Sequence, residues 1–302
     1  MRILLTGASG FVGQNLLKYL SNLDIYSMDR NDLGHIRIDL FTDSNMVIHL
    51  AGKAHDLKSV SDSQSYYDIN FDITKQLYDQ FLISQASKFI FISSVKAVAD
   101  CVTGILDEDI TPDPKTHYGK SKLMAEDYIR KQKLPIGKSY YILRPCMIHG
   151  PGNKGNLNLL YKFVQKGIPY PLASFDNKRS YLSIDNFCFT IKELIMNDSI
   201  PSGTYNLADD DALSTNEVVS ILSSKLNSKS RLWFIPIKLV RLLAKLGDLI
   251  NLPLNTERLN KLTESYIVSN QKLKSALDTS FPVTAREGMG KTALSFRSID
   301  EI

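Results

Sequence analysis

The chain has 302 residues, of which 43% are hydrophobic and 23% charged, the composition of an ordinary globular protein with one or two domains. Its formal net charge of +4 comes without a basic block, which excludes a dedicated nucleic-acid-binding protein, and no apolar run reaches the roughly 18 residues of a membrane span. The three cysteines are widely spaced and form no CxxC pair, so we expect free thiols, no structural metal and a cytoplasmic location.

The N-terminal stretch MRILLTGASGFVG has the order strand, glycine turn, helix. Arg2–Leu5 is typical of a buried strand and leaves no room for a signal peptide, and the apolar period of Phe11–Leu20 predicts a helix. Gly7 permits a tight turn, Gly10 lets the main chain approach phosphates, and Gly13 lets helix and strand pack closely. The pattern predicts a dinucleotide pyrophosphate at the helix N-terminus. A glycine-rich turn without a ligand is the alternative, since the spacing is GxxGxxG rather than GxGxxG.

A second strand is predicted at Asp24–Met28 and ends at Asp29. This carboxylate lies 19 residues after Gly10, where a dinucleotide-binding unit places the acid that accepts hydrogen bonds from the adenosine ribose. Its charge would repel a 2′-phosphate and therefore favours NAD, while the neighbouring Arg30 could hold that phosphate, so NADP stays open. A turn residue before Asn31 is the structural alternative.

Strand and helix patterns alternate up to residue 150. Strands are predicted at His35–Leu40, Met46–Leu50, Lys88–Ile92 and Tyr140–Arg144, and helices at Asp68–Ala86 and Tyr118–Lys131. Such alternation is typical of an α/β fold, here a Rossmann-type doubly wound parallel sheet.

From Pro151 onwards the pattern is mainly helical. Helices are predicted at Asn156–Gly167, Thr215–Leu226, Ile237–Ile250 and Gln271–Ala276, with a turn and helix at Tyr181–Met196 and a strand at Thr204–Leu207. We therefore predict an NAD-binding domain of residues 1–150 plus about 181–208. A smaller, mostly helical substrate domain would comprise about 151–180 plus 209–302.

The helix predicted at Ile237–Ile250 is amphipathic. One face carries Leu239, Leu242, Leu243 and Leu246, and basic side chains follow at Lys238, Arg241 and Lys245. The leucine face is predicted to pack on the protein core, as such faces do in globular domains. The alternative is a helix that lies on a membrane surface.

Tyr118 and Lys122 lie four residues apart on a predicted helix and so share one face. A free tyrosine has a pKa near ~10, too high for proton transfer at pH 7. An ammonium ~4 Å away in an effective dielectric of ~20 favours the phenolate by about 4 kcal/mol, roughly three pKa units, and a bound oxidised nicotinamide acts in the same direction. Ser94, at the end of the preceding strand, can donate a hydrogen bond to the reacting oxygen. These residues predict a site that holds a carbonyl or alcohol while hydride moves to or from a nicotinamide.

The motifs follow one another in the order of a known family. TGASGFVG, VIHLAGKAH, DIN around Asn70, FISSVKA, YGKSK with Ala125-Glu126, LRPCMIHGPG and KRSYLSIDNF run from residue 1 to about 190, and NLAD, TERL and SFPVTAREGM follow. On these motifs the chain resembles the extended short-chain dehydrogenases/reductases of the NAD-dependent epimerase/dehydratase family, which act on nucleotide sugars.

The resemblance implies roles for individual residues. Ser94, Tyr118 and Lys122 match the catalytic serine, tyrosine and lysine. The implied cofactor-binding residues are Gly7, Gly10, Phe11, Val12, Gly13, Asp29, Asp39, Leu40, Leu50, Ala51, Lys53, Tyr118, Lys122 and Pro145. The implied substrate-binding residues are Ser94, Lys96, Asn156, Arg179 and Arg258. An arginine fork suits two phosphate oxygens, although a surface ion pair is the alternative for Arg258.

Departures from the family patterns reduce the number of reactions that we expect for this chain. The 4,6-dehydratases carry Thr-Asp-Glu where Ser94-Val95-Lys96 stands, so dehydration is not expected, and UDP-galactose 4-epimerases have Phe-Asn at Cys146-Met147. The SSVK loop resembles UDP-N-acetylhexosamine 4-epimerases and the 4-keto-6-deoxy-sugar reductases of surface polysaccharide synthesis. We expect an NAD(P)-dependent 4-epimerase of a UDP-hexose or UDP-N-acetylhexosamine, with a 4-keto-6-deoxy-sugar reductase as the alternative. A non-catalytic dinucleotide sensor and an enzyme for a lipid-linked sugar are more remote alternatives.

Two further expectations concern assembly and the histidines. The resemblance implies a homodimer formed through the helices at about 70–86 and 118–132. His49, His55 and His117 are assigned to loop and core roles, because no other side chains lie at metal-ligand spacing from them.

Overall fold

A six-stranded parallel sheet forms the centre of the computed structural model, which describes residues 1–34, 36, 38–54, 63–153, 156–249 and 255–300. Its strands, in chain order, are β1 Arg2–Thr6, β2 Asp24–Met28, β3 Met46–His49, β4 Lys88–Ile92, β6 Ser139–Pro145 and β9 Gly203–Leu207. In space they follow the order β2-β1-β3-β4-β6-β9, which confirms the Rossmann-type prediction. Two short parallel pairs join β5 Ile105–Leu106 to β10 Ile267–Val268 and β7 Met147–His149 to β8 Tyr181–Ser183.

Helices cover both faces of this sheet and form most of the second half of the chain. They are α1 Phe11–Tyr19, α2 Arg30–Gly34, α3 Asp39–Thr42, α4 Gln64–Tyr67, α5 Ile73–Ile83, α6 His117–Lys131, α7 Asn156–Gln165, α8 Ile184–Met196, α9 Thr215–Lys225, α10 Ile237–Leu249, α11 Thr256–Thr263, α12 Gln271–Leu277 and α13 Ala285–Asp300. A π-helical turn, Asp68–Asp72, joins α4 to α5, and a 3₁₀ turn, Val95–Ala97, follows β4.

Three apolar cores hold these elements together. Every residue of β3 and β4 is buried, because helices cover the sheet on both sides. One core packs the sheet against α1 and α8, and a second packs its other face against α5 and α6. A third core lies among α7, α9, α10 and α13 in the C-terminal half. The predicted domain boundaries remain a prediction.

The amino end of β4 is anchored by a buried lysine. Lys88 Nζ donates to the carbonyl oxygens of Leu194 at 2.8 Å, Ile195 at 3.2 Å and Asn197 at 3.1 Å, and lies 2.7 Å from the Asp198 carboxylate. A cation at a helix C-terminus satisfies carbonyl groups that have no partner within the helix. Lys88 therefore fixes the end of α8 to the start of β4.

Some predicted elements differ from the structure. The predicted strand at His35–Leu40 is wrong at its end, because Asp39 and Leu40 begin the helix α3; His35 and Arg37 lie outside the described residues. The connection between β2 and β3 contains the short helices α2 and α3, and β3 pairs directly with β1. The helices α4, α11 and α13 and the short strands β5, β7, β8 and β10 were not predicted; strands of two or three residues carry no period.

The prediction that the leucine face of α10 packs on the core is wrong. Leu239, Leu242, Leu243 and Leu246 are each between 47% and 54% exposed. Val240, Ala244 and Gly247 form the buried face instead. Smaller side chains on that face let the helix lie close to its neighbours, and the larger leucines are left outside. Within the described part of the chain, no helix combines the length and apolarity needed to cross a bilayer.

Candidate active site

The glycine turn after β1 forms a backbone cradle. Gly7 has φ +74°, and a Cβ there would lie 2.6 Å from the Ala51 nitrogen. A Cβ on Gly13 would overlap the Gly7 carbonyl oxygen and lie 2.7 Å from the Ala8 Cα. Gly10 differs, because its Cβ would meet only the Gly7 oxygen, at 3.4 Å, and would otherwise project into open space. The cradle therefore fits a dinucleotide pyrophosphate at the start of α1, where a side chain would block the approach.

The other predicted cofactor residues lie mostly around the same sheet edge. Phe11 and Val12 begin α1, Leu50, Ala51 and Lys53 follow β3, and Pro145 ends β6. Asp39 and Leu40 lie in α3. Parallel strands bring their carboxyl ends to one edge, which is where α/β proteins bind ligands.

Asp29 follows β2, the neighbour of β1. Its Oδ1 accepts hydrogen bonds from the backbone nitrogens of Asn31 at 2.7 Å and Asp32 at 2.9 Å, so the carboxylate stabilises the start of α2. The strand register places Met28 opposite Thr6, which puts Asp29 beside the glycine cradle. The residue thus has a local structural role and a position suited to a ribose.

Ser94, Tyr118 and Lys122 come together at the carboxyl end of β4. Ser94 follows β4 and begins the 3₁₀ turn, while Tyr118 and Lys122 lie on the first turns of α6. The Thr116 side chain caps α6 by accepting a hydrogen bond from the Gly119 nitrogen at 3.2 Å. Lys122 is buried, and its Nζ donates to the Ile92 carbonyl oxygen at 2.8 Å. The geometry brings a phenol, a hydroxyl and an ammonium to the edge that carries the cradle.

The pKa values of Tyr118 and Lys122 differ from those expected from the sequence. Burial raises the pKa of Tyr118, and a hydrogen bond from the Ser94 side chain opposes that rise only in part. Burial lowers the pKa of Lys122 to about 7, although the nearby Glu126 carboxylate favours the charged ammonium. The prediction that Lys122 lowers the pKa of the phenol is therefore wrong for the protein alone. The ammonium points to the Ile92 carbonyl, and its own burial weakens its charge.

We expect replacement of Lys122 to change the pH dependence of stability. The folded-state pKa of about 7 lies below the ordinary value of 10.5, so the unfolded chain binds more protons between pH 7 and 10.5, and stability rises with pH there. Lys122→Met removes that slope. Urea unfolding should show this as a difference between the two proteins. The free energy of unfolding of the variant minus that of wild type should be higher at pH 6 than at pH 9 by roughly 2 kcal/mol. Lys120→Met, at an exposed position on α6, should show no such difference; equal curves for both variants would refute the assignment.

Asn70 fixes the loop after β3 to α6. It is fully buried on the π-helical turn, and its Oδ1 accepts from the Lys53 nitrogen at 2.8 Å. Its Nδ2 donates to the Lys53 carbonyl oxygen and to Ser121 Oγ, both at 3.0 Å. Ser121 precedes Lys122, so Asn70 connects the predicted cofactor residue Lys53 with α6, the helix that carries Tyr118 and Lys122. A π-helical turn is a frequent feature of functional sites, but it has no sequence period.

A buried ion pair between Glu126 and Arg144 holds together the elements that carry Ser94, Tyr118 and Lys122. Glu126, one turn after Lys122, accepts from Ser93 Oγ at 2.5 Å and pairs with Arg144 Nη2 at 2.6 Å. Arg144 Nε lies 3.0 Å and 3.1 Å from the two carboxylate oxygens, and Arg130 Nη1 reaches Glu126 at 3.1 Å. The carboxylate thus joins α6, β6 and the residue before Ser94. The motifs assign no role to Glu126; its signal in the sequence is an acid one turn beyond the YxxxK lysine, on the buried face of α6.

Two of the predicted substrate residues, Lys96 and Arg179, are held by main-chain carbonyl groups. Lys96 Nζ donates to the Asp100 carbonyl oxygen at 2.7 Å and lies 4.3 Å from the centre of the Tyr266 ring. Burial lowers the Lys96 pKa. The Arg179 Nε donates to the Glu264 carbonyl oxygen at 3.1 Å, and its Nη2 donates to the Lys261 carbonyl oxygen. Arg179 therefore holds the end of α11.

The predicted substrate residues Arg258 and Asn156 lie at the starts of helices. Arg258 is exposed in the first turn of α11, where its backbone nitrogen donates to Asn255 Oδ1 at 2.8 Å. Asn156 is the first residue of α7. Their roles, like those of Lys96 and Arg179, remain predictions.

The histidines have structural partners. His49 is buried between Thr6 Oγ1 at 2.7 Å and Thr74 Oγ1 at 2.9 Å, and burial lowers its pKa to about 3, which keeps it neutral. His117 Nδ1 lies 3.0 Å from the Tyr67 hydroxyl. His55 lies outside the described residues.

Comparison with known proteins gives concordant results. The model of the NAD dependent epimerase/dehydratase family matches residues 3–208. A UDP-glucose 4-epimerase of Vibrio cholerae is 30% identical, with 97% of this chain and 95% of that protein covered. An N-acetyl-α-D-glucosaminyl-diphospho-ditrans,octacis-undecaprenol 4-epimerase of Escherichia coli O157:H7 is also 30% identical, over 96% of this chain and 90% of the relative.

Solved structures support the fold. The UDP-glucuronic acid 4-epimerase of Bacillus cereus, crystallised with NAD, superposes with a TM-score of 0.75 at 19% identity and 99% coverage of both chains. At that identity the likeness shows the fold, while the family match and the two relatives show membership. The chain is therefore an enzyme of the NAD-dependent epimerase/dehydratase family.

Proposed function

We propose that the protein is a 4-epimerase of a hexose or N-acetylhexosamine linked through a diphosphate, with a UDP-sugar as the first candidate. The observation that carries the proposal is the convergence of Ser94, Tyr118 and Lys122 beside the glycine cradle. Oxidation and reduction of a secondary alcohol need a proton-transfer group next to the nicotinamide site, and Tyr118 is such a group.

The proposed roles follow from the chemistry of each side chain. Burial raises the pKa of Tyr118 in the protein alone, so we assign its ionisation to the complex, where the positive charge of a bound oxidised nicotinamide favours the phenolate. The Tyr118 phenolate then takes the proton of the sugar 4-hydroxyl and returns it after the 4-keto sugar has turned over. Ser94 donates a hydrogen bond to the same oxygen and holds it within reach of the phenol. When bound, NAD supplies the hydride acceptor and donor for C4. The proton and the hydride both return to the sugar, so the reaction has no net oxidation.

The substrate class is inferred from the relatives and from basic residues. The names of the two relatives specify UDP-glucose in one case and N-acetylglucosamine on a diphospho-lipid in the other. Both substrates are hexoses joined to a diphosphate and altered at C4. We assign Lys96, Arg179 and Arg258 to the diphosphate side, since cations bind phosphate oxygens. Asp29 favours NAD over NADP, and the free thiols of Cys101, Cys146 and Cys188 fit the cytoplasm.

Purified protein incubated with UDP-glucose and with UDP-N-acetylglucosamine tests the proposal, with the products followed by NMR. Formation of the C4 epimer without added reductant is the expected result. The alternative, a 4-keto-6-deoxy-sugar reductase, is kept because relatives include GDP-6-deoxy-sugar enzymes. Consumption of NADH only in the presence of a 4-keto sugar would favour the reductase, and nucleotide binding without any turnover would favour a sensor.

We also propose a homodimer through the outer faces of α5 and α6. These helices lie side by side on one face of the sheet, and α6 exposes Met124. A monomeric mass in light scattering would contradict this assembly.

A further inference from the structure

Seven large apolar side chains between residues 233 and 249 are exposed, five of them on α10. They are Trp233 (57%), Phe234 (68%), Leu239 (47%), Leu242 (54%), Leu243 (48%), Leu246 (47%) and Leu249 (79%). Single exposed apolar side chains are normal, whereas a contiguous group marks a surface that contacts something else. We call these seven residues the α10 patch.

The patch is held on a fixed backbone. The four leucines from Leu239 to Leu246 recur at i, i+3, i+4 and i+7, so they form one stripe along the helix. The Trp233 nitrogen donates to the Tyr170 carbonyl oxygen at 2.9 Å, and Phe234 pairs with Leu172 through a β-bridge. The aromatic and leucine side chains are therefore displayed by ordered main chain that is itself packed on the protein.

Basic residues accompany the leucines. Lys238, Arg241 and Lys245 recur at i, i+3 and i+7 and are all exposed, next to the leucine stripe. The acid of this helix, Asp248, accepts hydrogen bonds from the Thr256 nitrogen at 2.9 Å and from its hydroxyl at 2.5 Å. A leucine stripe flanked by cations is the surface that an anionic bilayer attracts, because long basic side chains reach the headgroups while leucines enter the acyl boundary.

A second copy of the chain fits this surface less well. A two-fold axis through the patch would bring the same basic stripe of both copies together, and like charges at an interface oppose association. An anionic lipid surface has the complementary charge. The charge pattern thus selects a bilayer as the occupant.

The basic flank of α10 borders a cavity that reaches the end of α11. A cavity of about 530 Å³ is lined by Ile237 and Arg241 of α10, by Asn260, Thr263 and Glu264 of α11 and its end, and by Phe175 and Asp176. The Glu264 carboxylate lies 3.6 Å from the Arg179 guanidinium and accepts a hydrogen bond from Cys101 Sγ at 3.5 Å. The cavity therefore extends from Arg241, on the basic flank of the patch, to Glu264, which pairs with the predicted substrate residue Arg179.

We propose that the α10 patch docks on an anionic phospholipid bilayer and that the diphosphate of the substrate is carried by a lipid of that bilayer. The inference rests on the proposed sugar 4-epimerase function and assigns a lipid, in place of the uridine of a UDP-sugar, as the carrier of the sugar diphosphate. Docking places the cavity beside Arg241 at the level of the headgroups, where the diphosphate of a lipid-anchored sugar lies. The sugar then enters the site while the lipid tail stays in the membrane.

Vesicle flotation of the full chain tests the docking. Wild type should float with phosphatidylcholine vesicles that contain phosphatidylglycerol, and less with phosphatidylcholine alone or at high salt. Leu242→Gln/Leu246→Gln should lower the partition coefficient at least about tenfold. Leu159→Gln/Leu294→Gln, which alters two exposed leucines on α7 and α13, is the matched control and should bind as wild type does. No flotation of wild type, or equal flotation of the leucine variant, would overturn the proposal.

Turnover measured on the same proteins separates this inference from the proposed function. With a polyprenyl diphosphate bearing N-acetylglucosamine in anionic vesicles, wild type should form the C4 epimer, and the α10 variant should be slowed by the same factor as its binding. With soluble UDP-N-acetylglucosamine the two proteins should not differ. Turnover of the soluble sugar without vesicle binding would overturn the docking and leave the epimerase function intact. Vesicle binding without turnover of either sugar would overturn the function instead.

Discussion

Tyr118→Phe is expected to reduce kcat by about 10³-fold, within the range that a positioned proton-transfer group contributes. The substitution removes the hydroxyl that exchanges the proton with the sugar and leaves the ring in place. Because the cradle at Gly7–Gly13 is unchanged, NAD should still raise the melting temperature of the variant. Steady-state kinetics with the substrate found in the NMR assay, together with thermal shifts with NAD, give the two measurements.

Tyr128→Phe is the matched control for this experiment. It lies on the same helix and loses a hydroxyl that bonds to Asp79 at the surface of the protein. Its kcat should stay within about twofold of wild type, since surface changes are small in effect. If Tyr118→Phe kept more than a tenth of the wild-type kcat, Tyr118 would not be the proton-transfer group, whatever the control did.

Glu126→Ala is expected to lower the free energy of unfolding by about 3–5 kcal/mol, the largest stability change among these variants. Glu126 is fully buried and Arg144 is 2% exposed, so the alanine leaves a buried guanidinium without its carboxylate. The same change releases Ser93, the neighbour of Ser94. We therefore expect kcat to fall as well, and urea unfolding together with kinetics measures both effects.

A neighbouring acid supplies the comparison. Asp127 is 47% exposed on its side chain and lies 2.7 Å from Arg130, so Asp127→Asn should cost less than 1 kcal/mol, as exposed ion pairs do. The double variant Glu126→Leu/Arg144→Met removes both buried charges and should recover much of the lost stability. Recovery of stability without recovery of kcat would identify Glu126 as a positioning residue; equal losses for Asp127→Asn and Glu126→Ala would refute the buried-pair account.

The sequence predicted the central fold because its signals are local. The run Arg2–Leu5, the glycines after it and the Tyr118–Lys122 spacing each act within a few residues, and the structure has strand, turn and helix at those places. Periodicity also found the two stripes of α10. It did not tell which stripe lies inside, since that depends on which face fits the neighbouring helices.

Local sequence patterns could not predict the pKa values and ion pairs of the site. The pKa of Tyr118 depends on burial and on the direction of the Lys122 ammonium, both of which are set by elements far away in the chain. Glu126 and Arg144 are 18 residues apart, and each alone has the appearance of a surface charge. Only their burial against each other gives them a role.

Hydrogen bonds hold both ends of β4 and thereby fix the register of the strand. At one end Lys88 is bonded to the carbonyls that finish α8, and at the other Ser93 is bonded to Glu126. Sliding the strand by one pleat would leave the buried Lys88 ammonium without its carbonyl partners and would take the Ser93 hydroxyl away from Glu126. The position of Ser94 relative to Tyr118 is therefore fixed from both ends of β4, and the spacing of these proposed catalytic residues depends on the register of the sheet.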